Sequence, residues 1–431
     1  MLQLQVIRQN PAWVKERLAM KNFAEVNLVD EIIELDKESR EIKTTLEAIQ
    51  GIVNQKSKEI GRSSKETHSE EEIEQIRKLV IEIKLQIAEK IKRQNENATQ
   101  LYSKLILLPN LPSEKVPKGK TPADNEVVRE GGNKPQLGAD ALPHWDLAKK
   151  YDIIDFELGN KITGSGFPVY KNKGAKFQRT LIQYFLDYNT GAGYMEYQPP
   201  LMVNETTAFG TGQLPDKEGQ MYFASEDGFY LIPTAEVPVT NIYRDEIVKD
   251  SDLPIKMTAY TPCFRREAGS YGKDVRGLNR VHQFDKVEIV QLVHPEKSYE
   301  VLEEMVSHVE KLIQSLNLPY RILRLCGGDM SFASALTYDF EVWSAAQQKW
   351  LEVSSVSNFE TFQTNRMKIR FKPALPAGRD GSGKPQLVHS LNGSSLALPR
   401  IVACLLENNQ SADGIKLPKA LYSYFGAEML K

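Results

Sequence analysis

Two heptad-spaced apolar series, separated by a short polar segment, constrain this 431-residue chain more than any other feature. From Leu28 the apolar residues step by four, then three: Leu28, Ile32, Leu35, Ile42, Leu46, Ile49, Val53 and Ile60, with Ser39 and Lys56 filling the gaps in register. A second series runs through Ile73, Ile76, Val80, Ile83 and Ile87. It is read as continuing through Ile91, Ala98, Leu101 and Leu105 after two successive steps of four, a stutter that locally unwinds a coiled coil. Charged residues surround each seam, as expected of paired helices. Between the series, Gly61 to Ser69 reads as a polar turn. Two long helices joined by a short connection pack antiparallel. At about 35 residues each and 1.5 Å per residue, they predict an arm about 50 Å long over residues 28–105.

A heptad hairpin alone is compatible with a structural or dimerising coiled coil as well as with nucleic-acid binding. Lys37, Arg40, Lys43, Lys56, Lys58 and Arg62 on the first helix, and Arg77, Lys78, Lys84, Lys90, Lys92 and Arg93 on the second, could meet phosphates. A solvated charged face explains them equally well. The formal net charge of -2 announces no polyanion partner, so nucleic-acid affinity would have to come from local basic patches. The three cysteines, Cys263, Cys326 and Cys404, form no zinc spacing and no disulfide framework. No zinc is expected, and a reducing, cytoplasmic compartment fits best. The N-terminus lacks the pattern of a signal peptide, and no stretch reaches the roughly 18 apolar residues of a membrane span.

From Leu108 the helical pattern stops. Prolines at 109, 112, 117, 122 and 135, with Gly119, Gly131, Gly132 and Gly138, read as a connector without regular helix. The remainder reads as one α+β domain. Strand patterns recur at Tyr194–Met202, Gly228–Ile232, Lys256–Arg266, Val281–Val293, Tyr320–Leu325 and Lys349–Ser355, and amphipathic helices at Ala175–Asn189 and Lys297–Leu316. The domain reading is therefore 1–108 for an N-terminal domain carrying the arm, and 109–431 for a catalytic domain.

The chemistry concentrates in Thr261 to Glu288. This segment reads as two antiparallel strands joined by a loop over Ala268 to Gly277. Alternation places Arg265 and Glu267 on one face of the first strand, and Arg280, Phe284 and Glu288 on one face of the second. If those faces coincide, two guanidiniums, two carboxylates and a ring share one surface. That set suits a nucleotide, since arginine forks grip phosphate oxygens and a ring can stack on a base. The same residues are compatible with a salt-bridged exterior sheet face.

This segment resembles motif 2 of class II aminoacyl-tRNA synthetases, in the form found in the seryl-tRNA synthetase family. Other pieces agree, in the expected order. Thr234-Ala235-Glu236 resembles the family's serine-binding TxE loop, and Gly164 to Tyr170 the lead-in to its core. Gly174 to Pro200 resembles motif 1, Glu352-Val353-Ser354-Ser355 the metal and ATP strand, and Asn392-Gly393-Ser394 through Arg400 motif 3. The resemblance implies an α+β fold, with an antiparallel two-helix coiled-coil arm ahead of an antiparallel sheet flanked by helices. It implies a serine–tRNA ligase with ATP as substrate, Mg2+ as cofactor, L-serine as the amino acid and tRNA(Ser) held by the arm. Charging of tRNA(Sec) stays open. Motif 1 implies a homodimer, and nothing in the family reading calls for a membrane.

The roles follow residue by residue from the resemblance. Arg265, Glu352 and Arg400 are the expected catalytic groups, with Arg265 between the amino-acid carboxylate and the α-phosphate. Arg266, Glu267, Arg280, Val281, Phe284, Val353 and Ser354 complete the ATP site: Glu267 reads adenine, Arg280 meets the γ-phosphate and Phe284 stacks on the base. Glu352 and Ser355 match the magnesium pair. Strand parity puts these two on opposite faces, so a bend is expected between them. Serine falls to Thr234, Ala235, Glu236, Arg265, Glu288, Asn392 and Ser394, with Glu288 accepting its hydroxyl. His282 and His389 are read as structural. The chain departs from the family at Ser395 and Pro399, where motif 3 usually has glycines. Pro399 is expected to open the following helix at its first position. Phe371 to Lys384 is read as a surface insertion. A carrier-protein ligase, which would lack the arm, and a catalytically dead relative, which would lose Arg265, Glu267, Glu352 or Arg400, are the competing readings.

Overall fold

The computed structural model describes residues 1–62, 69–268, 276–373 and 383–431. Most of the expected turn at 61–69, most of the 268–277 loop and residues 374–382 of the expected insertion lie outside the described residues. The chain divides into two compact units: Met1–Ala19 with Phe23–Pro109, and Met20–Asn22 with Asn110–Lys431.

In the first unit, helices α1 (Leu28–Arg62) and α2 (Glu70–Leu105) form an antiparallel pair. Ser69 caps α2: its hydroxyl accepts from the Glu72 amide, and the Glu72 carboxylate accepts from the Ser69 amide. Along α1 the expected seam is inward, with Ile32, Ile42 and Val53 buried. The second seam differs from expectation. Ile91 is 45% exposed and Ala98 is exposed, whereas Lys90 and Gln94 are half-buried and Asn97 is 3% exposed. The inward positions Ile83, Ile87, Lys90, Gln94, Asn97 and Leu101 keep alternating steps of four and three, so no stutter interrupts this stretch. The reason is a polar contact that pattern-matching on apolar residues cannot see. Asn97 Nδ2 donates to Glu38 Oε2 across the pair at 2.9 Å, and Arg93 meets the other Glu38 oxygen at 2.6 Å. Glu31–Lys104 adds a second cross-helix ion pair. Of the basic residues considered for phosphate binding, Arg40, Lys43, Arg77 and Arg93 each have an acidic partner on the arm; the side chain of Arg62 lies outside the described residues.

The second unit is built on one eight-stranded sheet. In chain order its strands are β1 (Glu126–Gly131), β2 (Met195–Glu196), β3 (Ile255–Phe264), β4 (Gln283–Val293), β5 (Tyr320–Arg324), β6 (Leu336–Ser344), β7 (Lys349–Glu360) and β8 (His389–Ala397). Their spatial order is β1-β5-β6-β7-β8-β4-β3-β2, antiparallel throughout except for the parallel β2–β3 pair. The stretch read as a connector thus contributes an edge strand, β1, and the sheet includes β6 and β8, which the strand patterns did not mark. Strand β3 ends at Phe264 and β4 begins at Gln283, so Arg265, Glu267 and Arg280 lie beyond the ladder rather than on its faces. Phe371, placed at the start of the expected surface insertion, is fully buried in a short strand, Arg370–Lys372.

Three helices cover one face of the sheet: α4 (Asn172–Gly191), α5 (Ser298–Ser315) and α6 (Leu398–Asn408), while α3 (His144–Lys150) packs against α6. Their apolar residues recur at helical spacing, as in Phe177, Leu181 and Phe185 of α4 and Leu302, Met305, Val309 and Leu312 of α5. They join Val287, Ile289, Phe340 and Leu391 from the sheet in one core. A fully buried side chain such as Phe340 contributes about 2–3 kcal/mol. Pro399 is the second residue of α6, one place later than expected, because Leu398 opens the helix. Among the described residues no helix is long and apolar enough to cross a membrane.

The first turn of α4 approaches a neighbouring backbone closely. A Cβ on Gly174 would sit 2.0 Å from the Ile153 carbonyl oxygen, which already accepts from the Lys171 amide. Only glycine permits that approach. Gly174→Ala is expected to cost about 1–3 kcal/mol through forced displacement of the helix. The check is the urea unfolding midpoint of the protein, and an unchanged midpoint would show that the contact is not constraining.

Candidate active site

Alternation along β4 divides the sheet. Val287 and Ile289 face the helices, whereas Phe284, Lys286 and Glu288 face a cleft of about 620 Å3 on the other side. On β8, Leu391 enters the core and Asn392 and Ser394 line the cleft. Thr234, Glu236, Arg265, Glu267, Arg280, Val281, Glu352, Val353, Ser354, Ser355 and Arg400 also line it. Two expected residues do not. Ala235 is fully buried at the start of the short helix Glu236–Thr240, and the Arg266 amide donates to the Gln220 carbonyl. The histidines stay outside as well: His282 stacks on Phe167 and donates from Nδ1 to the Arg265 carbonyl, and His389 pairs with Ser298.

At the inner end lies a buried polar network. Lys286 Nζ is 2.6 Å from Glu288 Oε2, with the two side chains 6% and 1% exposed. Thr234 Oγ1 donates to the same oxygen at 3.1 Å and accepts from the Glu236 amide at 3.2 Å. Gln363 Nε2 donates to Glu236 Oε1 at 2.7 Å. Burial, and then the charge of Glu288, push the Glu236 carboxyl up to about 7, against the opposing pull of the Gln363 bond. Two acidic groups and one ammonium are therefore held out of bulk water at one end of the cleft.

The middle carries the cationic and aromatic groups. The Arg265 guanidinium lies 5.3 Å from the Phe284 ring centroid, and its Nε donates to the Pro233 carbonyl at 3.4 Å. Arg265 is oriented because its amide still bonds the His282 carbonyl past the end of the ladder. Glu267 adopts φ +48°, an uncommon conformation for a non-glycine residue. It accepts from Arg280 Nη1 at 3.0 Å, so the two strand exits are pinned to each other. The Gly164–Tyr170 segment backs this region: the His282 amide bonds the Gly166 carbonyl, and a Cβ on Gly166 would sit 2.4 Å from the His282 ring.

The outer end is shaped by β7. Glu341 pairs with Glu352 and Phe340 with Ser354, so Val353 is the extra residue of a bulge. This is the bend that parity required, and both Glu352 and Ser355 line the cleft. Arg400 crosses from α6: Nη1 donates to the Glu352 carbonyl at 2.7 Å and lies 3.7 Å from its carboxylate, and Nε donates to the Asn279 carbonyl at 2.9 Å. Beside them, Asp339 Oδ1 is buried without a hydrogen-bond partner. Burial, followed by the charge of Glu352, holds the Asp339 carboxyl well above the usual range. Excess acidic oxygen around Glu352 and Ser355 fits a hard divalent cation with oxygen ligands.

Several cleft-associated residues escaped sequence reasoning. Lys286 had a signal, since it shares the period-two face of Phe284 and Glu288. Gln363 and Asp339 had none: the first arrives from the short helix Phe362–Met367 and the second from a strand not marked in the sequence. The network generates a stability prediction. Lys286→Met leaves Glu288 charged and buried without its cation, at an expected cost of about 3–5 kcal/mol. Adding Glu288→Gln should recover a large part of that cost, and simple additivity of the two changes in chemical denaturation would dismiss the coupling.

Residues 222–409 match the family described as the tRNA synthetase class II core domain (G, H, P, S and T), and residues 1–112 match the seryl-tRNA synthetase N-terminal domain. The serine–tRNA ligase of Salinibacter ruber is 49% identical over 431 residues, covering 99% of this chain and 98% of that protein. Among solved structures, seryl-tRNA synthetase from Pyrococcus horikoshii complexed with ATP superposes with a TM-score of 0.92 at 32% identity, over 100% of this chain and 99% of that one. The cytoplasmic serine–tRNA ligase of Naegleria fowleri in complex with AMP gives 0.87 at 27% identity, again over 100% and 99%. With both family matches, near-complete coverage and a shared fold, the chain belongs to the seryl-tRNA synthetase family.

Proposed function

We propose that this chain is a serine–tRNA ligase that condenses L-serine with ATP to seryl-adenylate and transfers the seryl group to the 3′ end of tRNA(Ser). The observation that carries the serine assignment is the buried Lys286–Glu288–Thr234 cluster beside Arg265 and Phe284. A small amino acid with a hydroxyl fits a short polar pocket that ends in a fixed acceptor. Glu288 takes the serine hydroxyl, and Glu236 with Thr234 holds the α-ammonium group. Asn392 and Ser394 border the pocket from the neighbouring strand, Ser394 directly across the ladder from Glu288. An analogue lacking the hydroxyl leaves a buried acceptor unpaired, which discriminates against alanine and glycine. Threonine is opposed only by its extra methyl, on the order of 1–3 kcal/mol.

ATP occupies the rest of the cleft, with adenine on Phe284 and its amino edge at Glu267. The phosphates run between Arg280 and Arg400. Glu352 and Ser355 would hold Mg2+, which when bound supplies a Lewis acid at the phosphate oxygens. In the first step a serine carboxylate oxygen attacks the α-phosphorus in line, and the bond to the β-phosphate oxygen breaks to release pyrophosphate. Arg265 bridges the attacking carboxylate and the α-phosphate, stabilising charge that grows in the transition state. In the second step a terminal ribose hydroxyl of tRNA attacks the acyl carbon, and AMP leaves. The protein positions and neutralises, with no covalent enzyme intermediate. The 28–105 arm presents the tRNA by shape and phosphate contact. The chain works as a cytoplasmic homodimer, with residues 1–108 as the tRNA-binding domain and 109–431 as the catalytic domain.

Amino-acid-dependent ATP–pyrophosphate exchange, run with each amino acid and without tRNA, tests the reading. Serine alone should support exchange; another amino acid would refute the Glu288 pocket, and none at all would refute adenylation. The raised Glu236 carboxyl adds a pH prediction. Its protonated form dominates below about 7, and serine's ammonium needs the ionised form. The KM for serine should therefore rise as pH falls from about 8 to 6, by about tenfold per unit well below 7. The slope should vanish in Glu236→Gln. A flat wild-type profile would remove Glu236 from ammonium binding.

A further inference from the structure

Behind the cleft a second buried network joins α3, α6 and the return of the 269–277 loop. His144 is fully buried and bonded at both ring nitrogens. The Leu278 amide donates to Nε2 at 2.8 Å, and Nδ1 lies 2.7 Å from Glu407 Oε1. A backbone N–H can only donate, so Nε2 must be the bare nitrogen. Nδ1 then carries the hydrogen and donates to Glu407, which fixes one neutral tautomer. Glu407 is fully buried as well and accepts from the His144 amide, Gln347 Nε2 and Ser344 Oγ. Burial alone would raise its carboxyl, but the His144 and Ser344 bonds outweigh it and hold Glu407 below the usual range.

What this network holds is the foot of the loop that leads to the nucleotide side of the cleft. Gly277, at φ +66°, lies so close to His144 that a Cβ would meet Nε2 at 2.2 Å. Arg276 lies over the Trp145 ring at 4.4 Å. Asn279 Nδ2 donates to Gln347 Oε1 at 2.8 Å, and the Asn279 carbonyl accepts from Arg400 Nε. Leu278, Asn279 and Arg280 all line the cleft. The Leu278 bond, together with the Arg276–Trp145 contact, ties the segment that carries Asn279 and Arg280 to α3.

We propose that His144, oriented by Glu407, is a positioning residue for adenylation: it fixes the foot of the loop at Leu278, so that Arg280 and Arg400 meet the ATP phosphates in register. The proposal rests on the adenylation reading, and the order of measurement separates the two. Wild-type exchange is measured first; a wild type that exchanges with no amino acid sinks that reading, and this proposal with it. Given an active wild type, His144→Ala should raise the KM for ATP about tenfold or more, because a buried donor loses its acceptor. The KM for serine should stay at the wild-type value, since Thr234, Glu236, Lys286 and Glu288 make no contact with the network described. His144→Gln, whose amide can accept from Leu278 and donate to Glu407, should recover most of the ATP affinity. An unchanged ATP KM in His144→Ala, or equal losses for ATP and serine, overturns the proposal. Where His144→Ala does not fold, ring 15N shifts of His144 in the intact protein decide: an Nδ1–H tautomer supports the assignment, and an Nε2–H tautomer overturns it.

Discussion

A β-strand sends successive side chains to opposite faces, and everything in the catalytic unit depends on how the central sheet uses that rule. One face is sealed by α4, α5 and α6 over an apolar core. The other must stay polar where ATP and serine are to bind. Strand β4 shows both demands in five residues: Phe284, Lys286 and Glu288 face the cleft, while Val287 enters the core and Asp285 accepts from Gln178 and Tyr260. The rigid side fixes the polar side. Groups packed against a filled core cannot move far, which is the preorganisation that charge-stabilising catalysis needs.

The charges are graded along the cleft, from buried at the Lys286–Glu288 end to part-exposed at Arg280 and Glu352. Lys286, Glu288, Thr234, Glu236 and Gln363 form one linked set of buried donors and acceptors at one end. Arg265, Arg280 and Arg400 follow, and Glu352 and Ser355 end the line, with the buried Asp339 carboxyl behind them. Several of these groups also answer one another, as in Arg280–Glu267 and Arg400–Glu352.

Legibility in the sequence followed the kind of signal each element carries. The α1 seam was readable because its apolar residues recur at heptad spacing. The α2 seam was misread beyond Ile87, because Lys90, Gln94 and Asn97 are polar and apolar Ile91 lies outside the seam. Asn97 can face inward because it meets Glu38, a residue on the other helix. Strand β1 hid among prolines and glycines, with mostly exposed side chains. Motif residues such as Arg265 and Glu288 could be placed by resemblance, and Lys286 by parity. Gln363, Asp339 and His144 required three-dimensional proximity: His144 meets Leu278 134 residues along the chain.

The bulge at Val353 has a consequence for how this site tolerates change. Regular pairing resumes on either side of Val353, so that residue supplies backbone the ladder does not use. Its side chain is 1% exposed, yet the residue borders the cleft, and the neighbouring Glu352 carbonyl already accepts from Arg400. Part of this wall is therefore main chain rather than side chain. Such a wall is indifferent to which amino acid stands there, provided that the residue still fills the core. It is sensitive instead to chain length. Removing one residue would restore an ordinary ladder and take the spare peptide group with it, a loss that no substitution elsewhere in the strand could replace.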